Sequence, residues 1–424
     1  MLIKRPWLLV SLGLATGLLL ALFFGSLRYG GVGGLYLRVR AEFPTGAREA
    51  YVPTPLPTAT PTATVVVPPT ATIEQPSPSP SVLPSATATL APTSTPSPTD
   101  TPAPTPTTLY IPAKPSVALA GLRHEWQTWN NCGPASLSML LSYYGLGLTQ
   151  ANVAAVIHPD MDVKHVGIPQ LAAFAHAQGL ATFARVNGDA DLLRLLLSND
   201  LPVITPTWHV DAKGTGMGHY RLLTGYDEAL GEWIIYDSLE SRGVNKDQPY
   251  HGIRLSFQQF EEWWQVMNYA YLVVYPEEKA PLVEAIIGDQ LDDQVMWQSS
   301  LERARNRVEE RTEDAFAWFT WGTNLVGNGL FEDAAAAYDR ARTIGLPYRM
   351  LWYQSGPFKA YYEVGRLDEV LALADATIET ADKVAAPHYW RGRALESLGD
   401  AEGARQALEK ALSLRPGYPE DAEP

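Results

Sequence analysis

Cys132 is the only thiol in the chain, and it heads the stretch Asn131-Cys-Gly-Pro-Ala-Ser-Leu-Ser-Met-Leu-Leu-Ser-Tyr-Tyr144. Gly133-Pro134 separates it from an apolar run, Ala135 to Tyr144. Proline suits the first turn of a helix, where its missing N–H leaves no partner unsatisfied. The spacing therefore predicts Cys132 at the N-terminal end of a buried helix. Unpaired amides and the positive end of the helix dipole favour a thiolate there. A thiolate so placed is a candidate nucleophile for acyl transfer, which also needs a base, an orienting group and an oxyanion donor.

Candidates for each are present. His219 lies near the start of Gly218-His-Tyr-Arg-Leu-Leu-Thr-Gly-Tyr-Asp227, directly after the glycine-rich Gly214–Gly218. That pattern predicts an imidazole at a sheet edge, next to a flexible loop able to admit substrate. Asp237 ends the next apolar run, Glu232-Trp-Ile-Ile-Tyr-Asp237. If the two strands are antiparallel neighbours, the carboxylate accepts the imidazole Nδ1–H and holds the ring for the thiol. Gln127 precedes the cysteine by five positions, and its amide could join the Cys132 backbone N–H in holding an oxyanion. His209 is a rival base and Asp227 a rival carboxylate, although Asp227 reads as a turn residue. His158, Asp160, Asp162 and His165 are of metal-binding type, but they stand in a proline-containing loop without a ligand spacing, so no metal or other cofactor is expected.

The elements that must position these groups follow from periodicity. Helical patterns cover Ala135–Tyr144, Thr149–Ile157, Ile168–Gln178 and Asp189–Ser198. Strand-like runs cover Ala181–Val186, Pro202–Thr207, His219–Tyr226, Trp233–Asp237 and Tyr269–Tyr275. Helices first and strands later imply an α+β fold with an antiparallel sheet. A helix carrying Trp263-Trp264 would close the domain.

Around this domain the texture changes. Trp7–Phe24 is an uncharged apolar run near the minimum for spanning a bilayer, preceded by Lys4 and Arg5. No small-x-small cleavage pattern ends it, so a retained anchor is expected over a cleaved signal. Pro53–Pro115 is mostly Pro, Thr, Ser and Ala with only Glu74 and Asp100 as acids, which predicts a disordered linker. After Pro281 every pattern is helical. Gly322, Gly329, Ala334, Tyr338 and Ala341 recur 70 residues later as Gly392, Gly399, Ala404, Leu408 and Ala411, with Gly365 between. Two periods of about 34–35 residues resemble tetratricopeptide helix pairs, led by a capping helix over Trp297–Glu310.

The net charge of −14 is concentrated in the folded part: residues 116–276 carry 9 basic and 15 acidic side chains, and 277–424 carry 16 and 27. Phosphate binding needs a basic face, so no nucleic-acid partner is expected. A single cysteine excludes an intramolecular disulfide framework.

Trp129-Asn-Asn-Cys-Gly-Pro-Ala-Ser, Gly218-His-Tyr-Arg-Leu-Leu, Ile234-Ile-Tyr-Asp-Ser and Leu255-Ser-Phe-Gln-Gln-Phe-Glu-Glu-Trp-Trp264 resemble, in this order, the bacteriocin-processing, C-39-like family of papain-fold cysteine peptidases. The resemblance implies Cys132 as nucleophile, His219 as base and Asp237 as orienting residue. The family places its oxyanion glutamine one residue further from the cysteine than Gln127 stands. Best-known members are fused to export ATPases; this sequence contains no GxxxxGK[ST] phosphate loop, so their leader-peptide substrate is not implied.

The expected organisation is a membrane anchor at 1–28, a linker at 29–115, an α+β papain-like peptidase domain at 116–276 and an all-α tetratricopeptide-repeat domain at 281–424. The expected protein sits in the cell membrane with a single span and its folded domains outside the cytoplasm. It cleaves a peptide or protein substrate, while the repeats recruit a protein partner. Two other readings stay open: a non-catalytic peptide-binding scaffold acting through the repeats, and a related acyl transfer on the same three side chains.

Overall fold

The computed structural model describes residues 52–56, 109–210, 216–241, 244 and 248–419. The expected anchor and most of the expected linker lie outside the described residues. Among the described residues no helix is long and apolar enough to cross a membrane.

The first domain is a mixed layer of helices around one antiparallel sheet. Its strands are β1 (Ser116–Ala118), β2 (Ala181–Arg185), β3 (Val203–Val210), β4 (Gly216–Asp227), β5 (Glu232–Tyr236), β6 (Ile253–Ser256) and β7 (Tyr271–Tyr275). The order is β2-β7-β3-β4-β5-β6, and β1 pairs with the end of β4. Long β-branched and aromatic runs such as Val203-Ile-Thr and Tyr271-Leu-Val-Val-Tyr275 suit the central strands, which are buried on both faces. Short β1 and β6 lack such a run and were not legible as strands.

Helices α1 (Cys132–Tyr143), α2 (Gln150–Ile157), α3 (Ile168–Ala177) and α4 (Ala190–Ser198) precede or interleave with the strands, and α5 (Phe257–Trp264) follows β6. α1 is the central helix: every residue from Gly133 to Leu141 is buried. Its serines avoid unsatisfied burial by bonding inside the domain, Ser136 to the Tyr220 carbonyl and Ser138 to Glu125. One face of the sheet, with Tyr220, Leu222, Leu272 and Val274, packs on α1 and α3. The other face, with Leu223, Tyr226 and Val273, packs on α4 and α5.

α6 (Ala280–Ile287) and α7 (Asp293–Glu310) lead into three helical hairpins. These are α8 (Ala315–Gly327) with α9 (Phe331–Ile344), α11 (Gly356–Glu363) with α12 (Leu367–Thr380), and α13 (Ala385–Ser397) with α14 (Ala401–Leu414). The one-turn α10 (Met350–Tyr353) separates the first two pairs. Gly329, Gly365 and Gly399 turn the three hairpins with φ of 73°, 73° and 88°, a conformation open to glycine. The 70-residue recurrence has a packing cause. A Cβ at Gly322 would come 2.7 Å from the Tyr338 ring, and one at Gly392 would come 2.7 Å from Leu408, so each glycine admits the large residue sixteen positions on.

Two boundaries differ from the sequence expectation. Ile111 and Lys114, placed in the linker, pack against the first domain: Ile111 exchanges hydrogen bonds with the Asn199 side chain at 2.7 and 2.8 Å, and the Lys114 N–H reaches Ser198 at 3.0 Å. Val52, also placed in the linker, is 3% exposed within the helical core. Proline-rich composition concealed both, because the first contact is made by backbone groups and the second by one apolar side chain.

The helical region is not a separate body. Trp208, Val266 and Met267 of the first domain share a core with the repeats, and the Trp208 ring lies 5.5 Å from Phe316. Asn324 donates to Asn268 at 2.8 Å, and Gln354 to the Val266 carbonyl at 2.9 Å.

Candidate active site

Cys132 is the first residue of α1, and the side chain of Asn131 before it does not cap the helix amides. The free amides of the first turn therefore remain at the thiol. The loop before it is fixed from several sides. Asn131 donates to Thr128 at 2.9 Å and to Gln150 at 3.1 Å, while His158 meets the Asn131 amide oxygen at 2.7 Å. Gln150 also donates to the Trp126 carbonyl at 2.8 Å.

β4 and β5 are antiparallel neighbours with Leu222 opposite Tyr236. That register sets Arg221 across from Asp237, one position past β5, and puts His219 diagonal to it on the same side. His219 Nε2 lies 2.9 Å from Asp237 Oδ1. The ring nitrogen that meets the carboxylate is thus Nε2, not the Nδ1 expected, which leaves the other edge of the ring for the thiol. His219 and Cys132 are hydrogen-bonded through their side chains. The sequence-predicted thiol, imidazole and carboxylate come together at one place.

Asp237 is fully buried. Its Oδ1 also accepts the N–H groups of Leu239 at 2.8 Å and Glu240 at 2.9 Å. Arg221 Nε stands 2.9 Å from Oδ2, an ion-pair contact. Burial pushes the carboxyl up, but the charges of His219 and Arg221 and the hydrogen bonds outweigh it and hold the group well below the usual carboxylate range. Burial pulls the His219 imidazole down, and Asp237 more than compensates, so the ring is easier to protonate than a free imidazole. Burial raises the Cys132 thiol; the hydrogen bond and charge of His219, with backbone contacts to Tyr220 and Gly133, override it and leave the thiol below its ordinary value. These shifts favour a thiolate–imidazolium pair.

Gln127 is tied to the residue after the carboxylate. Its N–H donates to the Ser238 carbonyl at 2.9 Å, and its Oε1 accepts from the Ser238 hydroxyl at 2.9 Å. His124 Nε2 lies 2.8 Å from the Asp237 carbonyl and stacks on Tyr250, with ring centroids 3.5 Å apart.

The rival residues have other duties. His209 lies beside Arg221, Nδ1 3.1 Å from its guanidinium. Burial, with the neighbouring cations, lowers its pKa to about 4, so it stays neutral. Asp227 caps the β4–β5 turn, accepting from Ala229 and Leu230 at 3.0 and 3.2 Å. Asp160 and Asp162 both hold Lys383, in the connection between α12 and α13, at 2.6 and 3.1 Å. Among the described residues no three metal-type side chains converge.

Two contributors escaped the sequence reading. Arg221 is buried beside the carboxylate, and the signal was its position two residues after His219, on the same face of the strand. Tyr353 comes from α10 of the helical region. A Cβ on Gly218 would stand 3.0 Å from its ring, and one on Gly216 would stand 2.1 Å from the Trp208 indole. Gly216 and Gly218 belong to β4, and the rings pressed on them explain the glycines better than a flexible loop. Cys132, His219, Gly218 and Tyr220 line one side of a cavity of about 140 Å³, and Tyr353 and Gln354 line another. The helical region builds part of the cleft wall.

Residues 121–272 match the model of the peptidase C39-like family, and residues 385–418 match that of the tetratricopeptide repeat. The chain thus carries a C39-like peptidase domain followed by a tetratricopeptide repeat. No curated protein matches it. Among solved structures, it is similar to a C39-like peptidase from Bacillus anthracis (16% identity, 38% of this chain and 98% of that chain, TM-score 0.29). It is also similar to the peptidase domain of Streptococcus ComA, a bifunctional ABC transporter of a quorum-sensing pathway (19% identity, 37% and 100%, TM-score 0.29). A third is a double-glycine-motif protease of an AMS/PCAT transporter in complex with its leader peptide (17% identity, 38% and 94%, TM-score 0.27).

Proposed function

We propose that this C39-like domain is a working cysteine peptidase, with Cys132 as nucleophile, His219 as general base and acid, and Asp237 as the group that orients the ring. The observation that carries the reading is the continuous chain from a helix-start thiol through His219 to a buried carboxylate 2.9 Å from Nε2. The thiolate attacks a peptide carbonyl and the carbon–sulfur bond forms. The oxyanion is held by the Cys132 N–H and the Gln127 amide. The protonated His219 gives its proton to the amine as the carbon–nitrogen bond breaks. His219 then takes a proton from water, which attacks the thioester and frees Cys132.

The same proposal places the protein in the cell membrane, anchored through the apolar run Trp7–Phe24, with the folded part outside the cytoplasm. The supporting features are the length of that run and the Pro/Thr-rich sequence after it. The repeats serve protein contact, and their share in the cleft wall supports a role in choosing the substrate.

A thiol-directed activity probe tests the chemistry. Labelling of the reduced protein is expected, lost in Cys132→Ala and reduced in His219→Ala. A folded, reduced wild-type protein that stays unlabelled, or labelling that survives in Cys132→Ala, would overturn the assignment.

A further inference from the structure

Four charged side chains are set into the seam between the first and second hairpins: Asp339 and Arg342 on α9, Glu369 on α12, and Arg366 just before it. Arg342 and Glu369 are 2% and 3% exposed. Arg342 pairs with Glu369 at 2.8 Å, Arg366 pairs with Asp339 at 2.6 Å, and Tyr361 donates to Asp339 at 2.8 Å. Hairpin stacking does not need buried ions, and desolvating them is unfavourable unless every polar atom is used. Two atoms of this cluster are used on something outside the repeats. Arg342 Nε donates to the Pro53 carbonyl at 2.7 Å, and Glu369 Oε1 accepts the Leu56 N–H. Between hairpins, the Leu346 carbonyl accepts the Val52 N–H at 3.0 Å, and the Val52 side chain enters the helical core.

The contacts define a peptide site. One backbone carbonyl and two backbone N–H groups are read over five residues, a single apolar side chain is swallowed, and Pro53 and Thr54 face solvent. Such reading selects an extended conformation and not a particular surface sequence. Prolines at the second and fourth positions hold that conformation in advance, which lowers the ordering entropy of binding. We propose that the seam between α9 and α12 is a binding site for extended, proline-containing peptide segments of the form Val-Pro-x-Pro-x, and that the chain's own Val52–Leu56 fills it, Leu56 contributing its backbone N–H while its side chain stays exposed.

Filling it in cis alters the covalent path. Between Phe24 and the first described residue of the peptidase domain, Leu109, lie 84 residues; between Phe24 and Val52 lie 27. At about 3.5 Å per residue, docking cuts the greatest reach from Phe24 to the folded part from roughly 290 to roughly 95 Å. A competing segment that took the seam would release the longer tether.

The experiment uses the full chain in detergent and a fluorescent peptide of residues 50–58. Wild-type protein is expected to bind the peptide at least tenfold more weakly than Val52→Asp, whose own segment can no longer occupy the seam. A peptide carrying the same Val→Asp change is expected not to bind, which controls specificity without altering the protein. Hydrogen exchange supplies a second measurement, with the Val52 and Leu56 amides protected in the wild type. Equal affinity for wild type and Val52→Asp, binding of the Asp peptide, or rapid exchange of both amides would overturn the proposal.

Discussion

The guanidinium of Arg221 stands 2.9 Å from the Asp237 oxygen that His219 does not use, and both groups are fully buried. Its ring-facing side lies 4.5 Å from the Trp263 centroid, so the cation is enclosed by a carboxylate, a neutral histidine and an indole. Removing the cation leaves Asp237 with a buried charge that only His219 balances. Arg221→Met is expected to destabilise the domain by about 3–5 kcal/mol, the usual effect of breaking a buried pair. Urea unfolding monitored by tryptophan fluorescence measures it. A loss below about 1 kcal/mol would show that Arg221 is dispensable to the carboxylate.

The pH profile follows from the directions of the shifts. The thiol is lowered, so the thiolate forms at a lower pH than in an ordinary cysteine. The imidazole is raised, so the imidazolium survives to a higher pH than a free histidine. The alkylation rate of Cys132 therefore rises with an acidic limb below the ordinary thiol value, and kcat/KM falls on an alkaline limb above about 6.5. Asp237→Asn removes the first group that raises His219, so the alkaline limb moves to lower pH. The same change lowers kcat by about 10⁴-fold if the amide holds the wrong ring tautomer, as in other enzymes with this arrangement. A profile that does not move assigns the imidazole shift elsewhere.

The sequence carried the domain texture and three of the site's side chains because each had a local signature. Cys132 sits at a helix start, His219 near the head of a long strand, and Asp237 at the end of the next strand. Antiparallel pairing of those strands then follows from their short connection. Arg221 was within reach of the same reasoning, since residues two apart on a strand share a face, but an arginine in GHYRLL is ordinarily taken as exposed. Tyr353 was out of reach. It lies more than 130 positions from Gly218, and nothing local in Met350-Leu-Trp-Tyr says which surface it meets. The docking of Val52 was hidden likewise, because five residues of VPTPL have no period from which to infer a partner.

Gln127 is held at both ends by Ser238, so its amide is pre-set and need not reorganise during the reaction. Preorganised donors of this kind act on the transition state more than on the bound substrate. Gln127→Ala is expected to lower kcat by about 10²–10³-fold with KM and the unfolding midpoint little changed. Ser238→Ala, which frees the amide without removing it, is expected to give a smaller loss in kcat. Steady-state kinetics on a cleaved peptide decide it, and an unchanged kcat in Gln127→Ala would remove the residue from the oxyanion role.

Tyr353 closes the cleft from the helical side, with its ring against Gly218 and 5.4 Å from the His165 ring. Its ring borders the cavity of about 140 Å³ that Cys132 and His219 also line, and so limits what can lie beside the reacting carbonyl. Tyr353→Ala enlarges the space without touching Cys132, His219 or Asp237, so the chemistry is kept and the selection changes. In a peptide-library digest, the ratio of kcat/KM for peptides with a bulky residue next to the cleaved bond to those with Gly or Ala is expected to rise by about tenfold or more. Tyr353→Phe keeps the ring and is expected to keep the wild-type ratio, which separates a wall from a hydroxyl donor. If Tyr353→Ala lowered cleavage of every peptide equally, the tyrosine would be a support for β4 and the substrate wall would have to be sought among the residues of the peptidase domain.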